Sequence, residues 1–217
     1  MPRPAKIKIS PRKTPVQDRS KKTVEIILQA ATRVLGRESL SGFNTNRVAQ
    51  VAGLSVGSLY QYFPNKDALI TELIRQEHLT LASRFTALID KVKGKSAAFT
   101  LSAIVAAVID QQFANPVFAA ALDHEEKRLP LDAALADVHA TLLASAAILV
   151  KPHYPKVTKL ELLDCMVILQ AMVDHCALHS LDAPTDLEDR VSRALMGYLG
   201  LASAAKPVKQ NRRSAVD

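Results

Sequence analysis

The stretch from Arg47 to Lys66, RVAQVAGLSVGSLYQYFPNK, constrains the fold more than any other part of the chain. Two short segments with apolar residues at helical spacing meet at Ala52-Gly53-Leu54-Ser55. So brief a junction allows only a tight turn. Gly53 can take the positive φ that stops one helix sharply, and Ser55 can cap the next. An aromatic cluster, Tyr60-Gln61-Tyr62-Phe63, closes the second segment; Pro64-Asn65 breaks the pattern and Lys66-Asp67 restarts it. A helix, a glycine turn and a short helix with a small-residue leading edge describe a helix-turn-helix, whose second helix enters a DNA major groove.

The rest of the chain extends the helical theme. Its 217 residues are 48% apolar but only 5% aromatic, without Trp, and rich in Ala and Leu. Few segments alternate with period two and many repeat at 3.6, which predicts an all-α fold of about nine helices. Uninterrupted apolar runs fall short of the roughly 18 residues of a membrane span, so no membrane partner is expected. The basic N-terminus lacks the apolar segment of a secretory signal. Two Cys cannot form a disulfide framework, and the expected location is cytoplasmic.

Charge is divided unevenly along the chain. Residues 1–22 carry +7, residues 23–66 carry +2, residues 67–205 carry −5 and residues 206–217 carry +3. A basic end on an acidic body suggests a polyanion-binding head attached to a body with another task. Four domains or segments follow: a disordered basic arm over 1–20, a helix-turn-helix domain over 21–66, a helical body over 67–205 and a disordered basic tail over 206–217. The arm has two readings, a DNA-following extension or a solvated tail.

Within the head, Val24, Ile27, Leu28, Ala31 and Leu35 share one face of a helix predicted from Lys21 to Arg37, followed by a loop from Ser39 to Phe43. Thr45 is the expected N-cap of a helix over Asn46–Ala52, and Ser55 caps Val56–Phe63. Val48, Val51, Leu54, Leu59 and Phe63 form the expected core, leaving Val56, Gly57, Ser58, Gln61 and Tyr62 outward. Small residues at 57 and 58 let the helix N-terminus approach phosphate closely. Tyr60 and Tyr62 can donate hydroxyls to phosphates, Gln61 can read a base edge, and Lys66 can add a charged phosphate contact.

At these residues a family resemblance becomes specific. Thr45 and the run VAQVAGLSVGSLYQYFPNKDALI, with the helix before them, resemble the DNA-binding domain of the tetracycline-repressor (TetR) family over about residues 22–75. Carried over position by position, the resemblance implies that Thr45 contacts a phosphate and Asn46 lies near a base, with Arg47 beside them. It implies that Val56, Gly57 and Ser58 meet the groove, that Tyr60 and Tyr62 contact phosphates, and that Lys66 touches the backbone; Ser55 and Gln61 complete the expected DNA-binding set. Tyr62 departs from the His found in many members, which keeps a phosphate donor in place.

The resemblance further implies a long connecting helix, predicted over Lys66–Val92, leading to a C-terminal ligand-binding and dimerisation domain. Helices are predicted over 97–114, over Val117–Arg128, from Asp132 as cap to Val150, over Thr158–Leu181, and from Thr185 as cap to about Leu201. The resemblance implies that the last two pair with a partner's copies, giving a homodimer matched to a palindromic double-stranded DNA operator. Between residues 97 and 180, Phe99, Phe113, Phe118, Met166 and Met172 are candidate walls of a pocket for an unidentified small-molecule effector. Asp123, His124, His139, Asp174 and His175 are its candidate polar anchors. The expected function is a transcriptional regulator, a repressor released by its effector; the alternative is a small-molecule binding protein with a vestigial DNA head.

Catalytic and metal motifs fail on context. Gly53-Leu54-Ser55-Val56-Gly57 fits the nucleophile elbow, but a helix precedes it where that motif needs a strand. Gly94-Lys95-Ser96 lacks the first glycine of a phosphate loop, and His124-Glu125-Glu126-Lys127-Arg128 lacks the second His of a zinc protease. His175 and His179 lie one turn apart but make an incomplete metal site. Cys165 and Cys176 are too far apart along one helix to bond. Neither an enzyme nor a cofactor is expected.

Overall fold

The computed structural model describes residues 18–201. Most of the predicted arm and the whole tail over 206–217 lie outside the described residues; the arm's last residues, 18–20, are already helical. Nine helices occur among the described residues: α1 (Asp18–Gly42), α2 (Thr45–Ala52), α3 (Val56–Tyr62), α4 (Lys66–Val92), α5 (Ala97–Ala114), α6 (Pro116–Arg128), α7 (Asp132–Val150), α8 (Lys159–Ala177) and α9 (Leu187–Tyr198). No strand occurs among them.

The head departs from expectation at its joints. The predicted loop after Arg37 is instead helical up to a kink at Ser39 (φ 55°, ψ −171°), after which a short turn reaches Gly42. Asn44, not Thr45, caps α2: its side chain accepts from the Arg47 backbone N–H at 2.9 Å. Thr45 is the first helical residue and is buried. Gly53 takes φ 68° and Ser55 caps α3, as expected. Val48, Leu59 and Phe63 are closed from solvent, but Val51 is 36% exposed and Leu54 only half-buried. Val56 and Tyr62, expected outside, pack partly against the head core.

The head core does not end with α3. It continues into Ala68, Leu69, Ile70, Leu73 and Ile74 of α4, and into Phe118, Ala121 and Leu122 of α6. Asn115 caps α6 beside α1, so close that a Cβ on Gly36 would fall 2.6 Å from its Nδ2. Arg128, at the end of α6, bonds both Glu125 and Asp67 at the start of α4. The head is therefore bolted to α6 as well as continued by α4.

The second core is the body: Phe85, Val105, Leu142, Leu149, Val173, Leu187, Val191 and Leu195 lead it. Helix α7 lies along α4, while α5 packs against α4 and α9. Helices α5 and α7 are long and apolar enough to cross a membrane by length and composition, contrary to the reading of short apolar runs. Both instead use one face inside the bundle, and α5 is not wholly buried: Phe99 is 51% exposed.

Three helix ends also differ. Leu131 already has helical backbone, so Asp132 sits inside α7 and makes no capping bond. Thr158 and Glu161 form a reciprocal capping box that starts α8. That helix stops at Ala177 rather than Leu181, since Leu178 and Leu181 (73% and 67% exposed) have nothing to pack on. Thr185 does not cap α9; the Leu187 N–H bonds the Pro184 carbonyl, and the helix begins there.

Candidate functional site

Two regions gather polar groups over apolar scaffolding. The first is the outer edge of α2 and α3. Gly57, Tyr60 and Gln61 are exposed, as are Asn46 and Ser55, and Ser58 is half-exposed. Ser55 Oγ accepts from the Ser58 N–H at 3.1 Å and lies 2.8 Å from Ser58 Oγ. A Cβ on Gly57 would meet nothing closer than Ser55 Oγ at 3.9 Å. The protein itself therefore does not require glycine at 57. A close-approaching partner would.

Thr45 and Tyr60 are not independent there. Thr45 Oγ1 lies 3.1 Å from Tyr60 Oη, tying the start of α2 to the middle of α3. Arg47 is held sideways, its Nε donating to Glu38 at 2.7 Å and its Nη1 to Gln50 at 2.9 Å. Lys66 Nζ donates to the Leu40 carbonyl at 3.4 Å and stands 5.6 Å from the Phe43 ring centroid. The Lys66 ammonium thus anchors the kinked end of α1, with donors to spare. The sequence reading missed Glu38, Asn44 and Gln50, which fix this edge. Asn44 was legible as a capping residue type, but Thr45 beside it competed for the role.

The second region is a cavity of about 540 Å³ in the body, lined from α4 to α9. Of the proposed lining residues, Asp123, His139, Met166 and Asp174 border it. Phe99, Phe113, Phe118, His124, Met172 and His175 do not. Phe118 is consumed by the head core, Phe99 points to the rim of the bundle near Lys95, and His124 and His175 are exposed. Phe113 and Met172 pack partly buried against the body core.

Acid–amide pairs mark the polar part of its wall. Gln111 donates to Glu77 at 3.0 Å, Gln112 to Asp123 at 2.7 Å and Gln170 to Asp174 at 2.6 Å. Burial pushes the Glu77 and Asp174 carboxyls up, each partly offset by its amide donor. Burial, reinforced by the Asp174 charge, raises Asp123 to about 6. Glu126 behaves oppositely: burial alone would raise it, but the His78 hydrogen bond and charge outweigh that and hold it low. His139 is held below the usual histidine value by burial and by His78. The Cys165 thiol is pushed up to about 11 by burial and nearby acids, so it is a poor nucleophile.

Glu77, His78, Gln111, Gln112, Glu126 and Gln170 went unrecognised as lining. A signal existed for His78. Ile74, Leu81 and Phe85 form an apolar stripe on α4, and His78 fills its gap at helical spacing.

The comparisons with known proteins agree with this anatomy. Residues 27–73 match the model of the tetR family of bacterial regulatory proteins. A putative TetR-family transcriptional regulator from Mesorhizobium loti superposes with a TM-score of 0.67 at 16% identity, covering 85% of this chain and 98% of its own. The fatty acid degradation regulator FadR from Bacillus halodurans gives 0.64 at 18% identity, covering 82% and 95%. The nucleoid occlusion factor SlmA of Haemophilus ducreyi is 32% identical over 104 residues, 48% of this chain and 49% of that protein. The chain thus matches about half the length of its curated relatives. The described residues are all-helical and share the fold of TetR-family transcriptional regulators. Within that fold, residues 27–73 form a tetR-family domain.

Proposed function

We propose that the chain is a homodimeric, sequence-specific transcriptional regulator whose effector binds the body cavity and releases the head from a palindromic operator. The observation that carries this is the sharing of helices between the two regions. Helix α4 contributes Leu69 and Ile74 to the head core and His78 and Phe85 to the cavity wall. Helix α6 contributes Phe118 and Ala121 to the head core and Asp123, Glu126 and Lys127 to the same wall. A ligand that spreads or clamps the wall acts directly on the two helices that aim the head. It shifts the equilibrium only as far as it prefers one arrangement over the other.

The partner surface is argued from α8. Leu160, Leu163 and Val167 recur on one side and are 66%, 41% and 66% exposed. An apolar stripe of that length on the last large helix pair suits a second copy of the chain. The effector class follows from the wall, mostly aliphatic with half-buried carboxylates: a largely apolar molecule bearing a donor or cationic group.

Selection of bound fragments from genomic DNA tests the reading. Enrichment of a two-fold symmetric site, with half-sites about one helical turn apart, is the expected result. Enrichment of no sequence over bulk DNA would instead favour a binding protein with a vestigial head. The dimer is checked by sedimentation of Leu160→Glu, which should be monomeric and should lose most operator affinity.

A further inference from the structure

We propose a divalent transition-metal site of the zinc class, built by His78 of α4, Glu126 of α6 and His139 of α7. Each residue offers one ligating atom, and these atoms lie within 4.8 Å of one another, the one such group of three among the described residues. His139 Nε2 stands 3.2 Å from His78 Nδ1, and His78 Nε2 stands 3.5 Å from Glu126 Oε2. Two nitrogens each about 2.0–2.1 Å from a tetrahedral zinc lie roughly 3.3–3.4 Å apart, so the imidazole pair already has the spacing of adjacent ligands. A modest swing brings the Glu126 carboxylate from the far nitrogen of His78 onto the ion.

The donor set selects the metal. Two imidazoles and one carboxylate suit zinc, cobalt or nickel, whereas magnesium and calcium prefer oxygen ligands throughout. Three protein ligands leave the fourth position open, and all three residues border the cavity, so water or a bound molecule can complete the sphere. The competing pair, His175 and His179, stack edge-to-face with ring centroids 4.9 Å apart but have no third ligating group among the described residues.

The placement gives the ion a mechanical consequence. It would tie α6 and α7 to α4 just past the residues through which α4 and α6 enter the head core. Any effect on DNA affinity rests on the regulator reading above; binding of the ion does not.

The test uses the full chain, stripped with chelator, titrated with Zn(II) by calorimetry and with Co(II) by visible absorption. One equivalent should bind, with the intense bands of four-coordinate cobalt. His139→Ala and His78→Ala should each weaken binding at least tenfold, and Glu126→Gln should do so too. The double variant His175→Ala/His179→Ala should bind as the parent does. Circular dichroism checks that each variant is folded, and exposed His139 is the safe substitution should His78→Ala not fold. Absence of uptake by the parent, or equal uptake by a folded His139→Ala, overturns the site, as does loss of binding only in the His175/His179 variant. Metal-free operator binding is measured in parallel. A chain that takes up zinc but selects no DNA overturns the regulator reading alone.

Discussion

The head and the body solve the same packing problem to different standards. In the head, Ile27, Leu35, Val48, Leu59, Leu69 and Ile70 are wholly closed from solvent, and the polar groups stand at the caps and outer edge. In the body a core of comparable size surrounds a cavity of about 540 Å³ and carries half-buried carboxylates with raised pKa values. A filled core gives one geometry, which would suit the groove-entering helix of the proposed regulator. A hollow core lined by carboxylates has room for a bound molecule. Under the proposed regulator reading, the difference suits a rigid head and an adaptable body.

The sharpest way to break the comparison is at Gly57. Its side-chain position is open within the protein, so Gly57→Leu should fold as well as the parent, or slightly better for helix propensity. Operator affinity should nevertheless fall by a hundredfold or more, since the leucine would hold the α3 N-terminus away from DNA. A gel shift beside a melting curve separates the two effects. Affinity unchanged in Gly57→Leu would mean that this edge of α3 does not meet the groove.

Next in size is the contrast in packing itself. Leu59 is 0% exposed in the filled head, and Leu169 is 6% exposed on the wall of the hollow body. Truncation to Ala costs most where no space exists to relax. Leu59→Ala should lose about 3–5 kcal/mol and Leu169→Ala nearer 2 kcal/mol, read by denaturant unfolding. Equal losses would show that the cavity is not open in the folded protein.

The same contrast explains what could be read from sequence. The head was legible because its signals are local: Gly53, the Ser55 cap and the apolar spacing of Val48, Leu59 and Phe63 lie close together in the chain. Even there the error at Val51 was tertiary, since periodicity cannot say which neighbour is missing. The body was legible only as helices. Helix α4 was read with its true ends, Lys66 and Val92, because Asn65 caps one and a turn at Gly94 ends the other. The cavity wall was legible only in part: Asp123, His139, Met166 and Asp174 were among the expected lining residues, whereas Glu77, Gln111, Gln112, Glu126 and Gln170 come beside them only once α4, α5, α6 and α8 are packed. Size and apolarity alone do not place an aromatic on a cavity wall: Phe118 instead joins α6 to the head core. The His78–Glu126–His139 cluster spans three helices, so helical spacing can point to His78 on α4 but cannot bring Glu126 and His139 to it.

A smaller effect tests the charge stored in the hollow body. With its carboxyl raised by burial and by Asp174 to about 6, the folded state holds a proton on Asp123 that the unfolded chain releases near 4. Between those values the native state binds more protons, so this group's stabilising share is full below about pH 4 and is lost as pH rises through about 6. Asp123→Asn removes the titration. The melting temperature of the parent should fall between pH 4.5 and 7 by roughly a few degrees more than that of the variant. Parallel curves would mean that the Asp123 carboxyl is solvated. A cationic ligand in the cavity should reverse the slope by favouring the ionised form.

The finest test returns to the head, where Thr45 was expected on a phosphate but is buried against Tyr60. If their 3.1 Å contact only positions Tyr60, then Thr45→Val and Tyr60→Phe each remove the same bond. Each should cost about 1 kcal/mol of stability, and the double variant little more than either alone. DNA affinity separates the roles further. Loss of a Tyr60 hydroxyl that also reaches phosphate should weaken binding to all sequences and lower the salt slope, whereas Thr45→Val should leave that slope unchanged. Equal slopes in both variants would make the pair an internal brace between α2 and α3, and would move the phosphate contacts of this edge to Ser58, Tyr62 and Lys66.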